Sequence, residues 1–136
     1  MHKRLITLLT VVIFFSCSNN STQEDKPVTD TDVATAFIRD LLDNKCKDAA
    51  QFMLNDETNH QYLDMLEQKM KTYSKQELDN FKNADIIINE ISNVTDSISI
   101  INYSNSYKKE NKNKLKLVRQ NGKWLIDFKY TFSGNM

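Results

Sequence analysis

Between residues 33 and 81 the apolar positions recur every three to four residues, and from residue 86 onward they recur every second residue. The first spacing lines one face of a helix and the second lines one face of a strand. Val33, Phe37 and Leu41 repeat at i+4 with Ala34, Ile38 and Leu42 beside them, which predicts a helix from about Thr29 to Asn44–Lys45. Thr29 followed by Asp32 is a capping-box start, and Asp30 and Asp32 suit the positive end of the helix dipole. A short second helix is predicted over Asp48–Leu54, carrying Ala49, Phe52 and Met53. A third runs from about Asp56 to Tyr73, with Tyr62, Met65, Leu66, Met70 and Tyr73 on one side. Ser74 with Glu77 opens a fourth, which carries Leu78 and Phe81.

Four strands follow in this reading: Asp85–Val94, Ser97–Tyr107, Leu115–Gln120 and Lys123–Thr131. They are divided by Thr95–Asp96, by the charged run Lys108–Lys114, and by Asn121–Gly122. Asn-Gly is the strongest of these signals, because a type I′ turn needs positive φ at both central residues. The fourth strand alternates Trp124, Ile126, Phe128 and Tyr130 against Leu125, Asp127 and Lys129. The second changes phase at Ile100–Ile101, and a one-residue slip exchanges the two faces of a strand. A bulge at that point, or burial on both sides, is therefore expected. The order predicts an α+β domain: N-terminal helices packed on a curved, bent four-stranded antiparallel meander, cone-like in outline.

The first residues are set apart from this pattern. Lys3 and Arg4 precede the uncharged run Leu5–Phe15, which is shorter than the roughly 20 apolar residues a membrane span requires. It reads as a signal-peptide core. Phe14-Phe15-Ser16-Cys17 resembles a bacterial lipobox, with Phe14 where Leu is common. The resemblance implies cleavage before Cys17, a thioether link from Cys17 to diacylglycerol, and acylation of its amino group. Two or more acyl chains anchor a protein stably where one does not. Residues 1–16 are then the signal peptide, 17–28 the lipidated cysteine and a polar tether, 29–132 the domain and 133–136 a tail. As a flexible coil, ten tether residues span roughly 17 Å. Ser18 in place of Asp implies passage to the outer membrane, with the periplasmic or surface face left open.

The chain has 136 residues, one Pro and two Gly, a length suited to a single core. It carries 18 basic and 18 acidic residues, and removal of Lys3 and Arg4 leaves a net charge of −2. No field of that size recruits nucleic acid, so no nucleic-acid partner is expected. Cys46 has no partner once Cys17 is lipidated and reads as a small buried hydrophobe. No HExxH, CxxC or glycine-rich phosphate loop is present, and no cofactor is expected. His60, Asp64 and Glu67 share one side of the third helix but read as a solvated face. The Lys108–Lys114 run reads as a solvated hairpin tip.

Two stretches carry a family resemblance: VATAFIRDLLDNKCKDAAQFM and the terminal hairpin NGKWLIDF. In this order they resemble the nuclear transport factor 2-like, or ketosteroid-isomerase-like, cone. They are similar in particular to the small lipoproteins of Bacteroidetes type whose domain was once labelled lumazine-binding-like. The resemblance covers residues 29–132 and rests on core and turn positions. It implies a curved sheet wrapped around the long helices, with a cavity between them, and it spans enzymes and binding proteins alike. Catalytic members place a carboxylate base and a tyrosine or acid donor inside the cone. Here Asp40, Asp43 and Asp127 all alternate onto the polar faces of their own elements.

The aromatic set supplies the remaining candidates. Phe37, Phe52, Tyr62, Tyr103, Trp124 and Phe128 are read as core residues, with cavity lining as the functional alternative. Asp96-Ser97-Ile98 resembles the O-glycosylation site of Bacteroides type, which makes Ser97 the candidate acceptor. The reading preferred at this stage is a lipid-anchored, non-enzymatic envelope protein that binds a small apolar ligand or a protein partner, with a weak homodimer among the partners considered. An isomerase- or dehydratase-like enzyme using the same cavity is the alternative, and a structural envelope accessory is the third.

Overall fold

The computed structural model describes residues 28–133. Helix α1 spans Asp30–Leu42 and begins in the expected capping box. The Asp32 N–H donates to Thr29 Oγ1 at 3.1 Å, and the Thr29 N–H donates to Asp32 Oδ2 at 3.2 Å. Its stripe Val33, Ala34, Phe37, Ile38, Leu41 and Leu42 is buried throughout. The chain leaves α1 through Asn44, whose φ of 60° lies in the left-handed region that Asn tolerates. The second helix starts two residues earlier than expected and is α-helical for one turn only: α2 (Cys46–Ala49) runs into a 3-10 turn over Ala50–Phe52.

Helix α3 spans Glu57–Met70, capped by Asp56, which accepts from the Asn59 N–H at 2.9 Å. Of its expected inward side, Met70 is in the core and Tyr62, Leu66 and Tyr73 pack against it, Asn59 and Leu63 are buried as well, and Met65 alone points to solvent. Helix α4 spans Lys75–Lys82 and starts in the Ser74–Glu77 capping box. Arg39 of α1 closes its far end by donating to the Lys82 and Ala84 carbonyls at 3.0 and 2.7 Å. The Lys82 carbonyl is among those a helix end leaves unpaired. Among the described residues no helix is long and apolar enough to cross a membrane.

The sheet is a four-stranded antiparallel meander in the order β1-β2-β3-β4, open rather than closed. Its strands are β1 (Ile86–Thr95), β2 (Ile98–Asn105), β3 (Asn113–Gln120) and β4 (Lys123–Asp127). The molecule is therefore an α+β fold of helices and a curved sheet, as the order of its patterns predicts. Asn121 and Gly122 turn β3 into β4 with φ of 50° and 77°, as a type I′ turn requires.

The third strand begins two residues ahead of expectation, at Asn113, and two strands end early, which side chains explain. The fourth strand stops at Asp127 because the Lys129 N–H donates to Asn59 Oδ1 at 2.7 Å, not to a ladder partner, and Phe128–Thr131 form a 3-10 turn. The second stops at Asn105, whose Oδ1 accepts from the Tyr107 and Lys108 N–H groups at 3.1 and 2.9 Å.

The phase change in β2 is not a bulge in β2. Its pairing with β3 runs unbroken from Ile98 to Tyr103. The irregularities lie across the ladder in β1, where Asn89 and Val94 are the extra residues. In β2 the inward face is Ser99, Ile101 and Tyr103, all buried, while Ile98 and Ile100 are half-buried on the other face. Burial on both sides is thus the alternative that describes it.

The core lies between the helices and the concave face of the sheet. Phe37, Ile101, Leu115, Leu117 and Ile126 have no exposed surface, and burying each such side chain contributes roughly 1.5–3 kcal/mol. Phe37 meets Phe128 edge to face at 5.2 Å, one of the two favoured aromatic arrangements.

Candidate functional site

One end of this core is not filled. A cavity of about 250 Å³ opens between α1, α3, the C-terminal turn and the ends of β2 and β3 nearest the Lys108–Lys112 loop. Ile38, Leu41 and Leu42 of α1 and Leu66 and Met70 of α3 form its apolar walls, closed by Tyr73, Phe81, Phe128 and Phe132. Phe132 is held in place by its neighbours: it stacks on Tyr62 at 4.7 Å and meets Phe128 edge to face at 5.1 Å.

Polar groups gather on the sheet side: Tyr103, Asn105, Asn113 and Thr131, with Lys69 across from them. Tyr103 and Asn113 are direct partners in the β2–β3 ladder and so share a face. Tyr103 is 8% exposed. Burial pushes its phenol well above the ordinary range, with no hydrogen bond offsetting it. No fully enclosed side-chain nitrogen or oxygen among the described residues lacks a partner. The Tyr103 hydroxyl has no hydrogen-bond partner among the described residues, so it is not fully enclosed, and its residue lines the cavity. Asn105 is equally buried, and its Oδ1 is occupied by two backbone N–H groups, which leaves its NH₂ available. Asn113 and Thr131 are half-buried and spend donors on the Asn111 and Lys114 carbonyls.

Of the six aromatic residues singled out in the sequence, Tyr103 and Phe128 line this cavity. Phe37 sits behind it in the core, Phe52 packs half-buried against the same core, and Tyr62 reaches the cavity only through Phe132. Trp124 lies toward the opposite end of the sheet, with the Arg119 guanidinium 5.9 Å from its ring centre. Ser97 is exposed in the β1–β2 turn, its carbonyl accepting from the Arg119 N–H at 2.8 Å. Cys17 lies outside the described residues. Asn105, Asn113 and Lys69 did not stand out in the sequence. The first two sit on the inward face through Tyr103, by the i+2 rule and by cross-strand pairing, but their register is not readable from a single strand.

The carboxylates lie elsewhere. Asp40 is half-buried on α1 and Asp43 sits between Arg39 and Lys45 at 3.6 and 3.7 Å. Asp127 corrects the sequence reading: it is 7% exposed, not on an open polar face. It is neutralised there by Lys116 at 3.6 Å and Lys129 at 3.3 Å, outside the cavity lining. A buried charge with two cationic partners is a structural tie. The His60 Nε2 pairs with Asn55 Oδ1 at 2.9 Å and Asp64 is exposed. Among the described residues no group of three or more His, Cys, Asp and Glu is placed to share a metal ion. Cys46 is buried 4.0 Å from the Met70 sulfur, and burial raises its thiol pKa, so it is not a reactive thiolate.

Fold and site together define an α+β domain with a solvent-open, mainly apolar cavity that has one polar wall. Comparison with protein-family models, with curated proteins and with solved structures finds no match.

Proposed function

We propose that this chain is a lipid-anchored envelope protein, held through Cys17, whose domain binds a small apolar ligand without transforming it. The observation that carries the binding reading is the cavity, about 250 Å³ and walled by aliphatic and aromatic side chains. Mostly apolar pockets with a few convergent polar groups are the usual form of small-molecule sites. Among the described residues its lining includes no Asp, Glu, His or Cys, the groups that general acid–base or nucleophilic chemistry draws on most often. That favours binding over the isomerase- or dehydratase-like alternative. The anchor rests on the Phe14–Cys17 lipobox resemblance, and the outer membrane on Ser18. The cone-like family resemblance supports a cavity in this position.

The test uses the full-length chain and its Cys17→Ser variant in a bacterial host. The parent should take up an acyl label and sediment with membranes, and the variant should do neither. Native mass spectrometry of the variant should find an apolar species bound, and Leu66→Trp, which fills the cavity, should remove it. Membrane association of the variant would overturn the anchor. A bound species that survives Leu66→Trp would overturn the site.

A further inference from the structure

The polar wall of the cavity is not symmetrical in what it offers a ligand. Its two deeply buried polar side chains, Tyr103 and Asn105, both have donors to spare: the phenol O–H, and the amide NH₂ whose oxygen is already occupied. Apart from the phenol oxygen itself, the spare acceptors, on Asn113 and Thr131, sit at half-exposed positions that water can reach. Among the described residues, Lys69 is the one charged group in the lining, and none of the ion pairs uses its ammonium. A buried donor without an acceptor is costly, and a ligand oxygen placed against it recovers that cost. A ligand that left it bare would be selected against for the same reason.

Resting on the apolar-ligand reading above, we propose that the occupant is a small amphiphile with a carboxylate head. The head accepts hydrogen bonds from the Tyr103 hydroxyl and the Asn105 amide and faces Lys69, while the apolar body lies against Leu41, Leu66, Met70 and Phe128. At about 30 Å³ per water-sized unit, a cavity of about 250 Å³ takes an apolar monocarboxylate of on the order of ten non-hydrogen atoms. A cationic head finds only the phenol oxygen of Tyr103 as an acceptor inside, with the wet acceptors of Asn113 and Thr131 at the rim, and must also approach Lys69.

The experiment is calorimetric titration, at pH 7.5, of the full chain carrying Cys17→Ser, which keeps the protein's own acyl chains out of the assay. The probes are octanoate, 1-octanol and octylamine, three heads on one body. Octanoate should bind at least tenfold tighter than octylamine. Tyr103→Phe should weaken octanoate roughly tenfold, the scale of a hydrogen bond to a charged group, while leaving the thermal midpoint of the free protein unchanged or higher, because the hydroxyl it removes is unpaired. Lys69→Gln, at an exposed position, should weaken octanoate two- to threefold and flatten its salt dependence.

Equal binding of all three probes would overturn the carboxylate head and leave the apolar-ligand reading standing. Octylamine binding as well as octanoate or better, or a folded Tyr103→Phe that binds octanoate unchanged, would likewise overturn it. Binding of none of the three would overturn both readings. Should Tyr103→Phe fail to fold, the ranking of the heads and the Lys69→Gln result decide alone.

Discussion

Asn59 has no exposed surface and every polar atom of its side chain is used. Its Oδ1 accepts from the Lys129 N–H at 2.7 Å, and its Nδ2 donates to Asp56 Oδ2 at 2.6 Å and to Asp127 Oδ1 at 3.4 Å. One amide thus joins the start of α3 to the point where β4 leaves the sheet. Asn59→Ala strands a half-buried backbone N–H and removes a donor from a buried carboxylate, each worth about 1–3 kcal/mol. We expect a loss of about 3 kcal/mol in urea unfolding, against under 0.5 kcal/mol for the exposed Gln61→Ala. Neither Asn59 nor Asp127 was readable as buried. Alternation assigns a residue to a face but not a depth, and Asp127 is covered on its polar face by Lys116 and Lys129. Tyr103 was readable as an inward aromatic, whereas its unpaired hydroxyl depends on neighbours that other segments supply.

At the scale of elements, three helices begin on a side-chain cap, and the carboxyls involved feel it. The Thr29 hydroxyl and N–H hold Asp32 below the ordinary carboxylate range, the Asn59 N–H does the same for Asp56, and the Ser74 N–H for Glu77. A carboxyl whose folded pKa is depressed contributes stability that is present above its unfolded pKa and lost as pH falls through the folded one. Asp40 has the opposite sign: burial first, then Asp48, raises its pKa, so its cost at neutral pH is relieved on acidification. With three carboxyls against one, unfolding free energy should be flat near neutrality and fall below about pH 4.5. Thr29→Ala and Ser74→Ala should each cost about 1 kcal/mol at pH 7 and make the acid limb shallower. A steeper limb in either variant would contradict this assignment. Both capping boxes were legible because their signal spans four consecutive residues. The short α2 and the early end of β4 were not, since the first depends on packing and the second on Asn59, almost seventy residues away.

At the scale of the molecule, the helices cover the concave face unevenly. They lie over β2 to β4 and over the first residues of β1, while Asn89–Thr95 run on largely exposed, with Ile91 and Val94 at 45% and 56%. Local stability follows burial and protected hydrogen bonds. In native-state hydrogen exchange the amides of Asn89–Thr95 should therefore open at far lower free energy than those of Ile101, Leu115 and Leu117. Uniform protection along β1 would show that its two bulges do not divide the strand. The α+β order and the meander were legible because each strand follows its partner in sequence. The cavity was not, because no pattern along one segment reports the gap left where several segments meet.

The two outer rails of the sheet share one property. Beside β4, Met53 forms a parallel bridge to Ile126, and the Leu54 N–H donates to the Ile126 carbonyl at 2.9 Å. Along β1 the extra residues Asn89 and Val94 break the straight run of backbone donors and acceptors. A flat, unpaired rail is a template on which another chain adds a strand, and from there aggregates grow. One rail here is partly occupied and the other is twice interrupted. A protein built this way can be crowded with its own copies without offering them a continuous strand to extend.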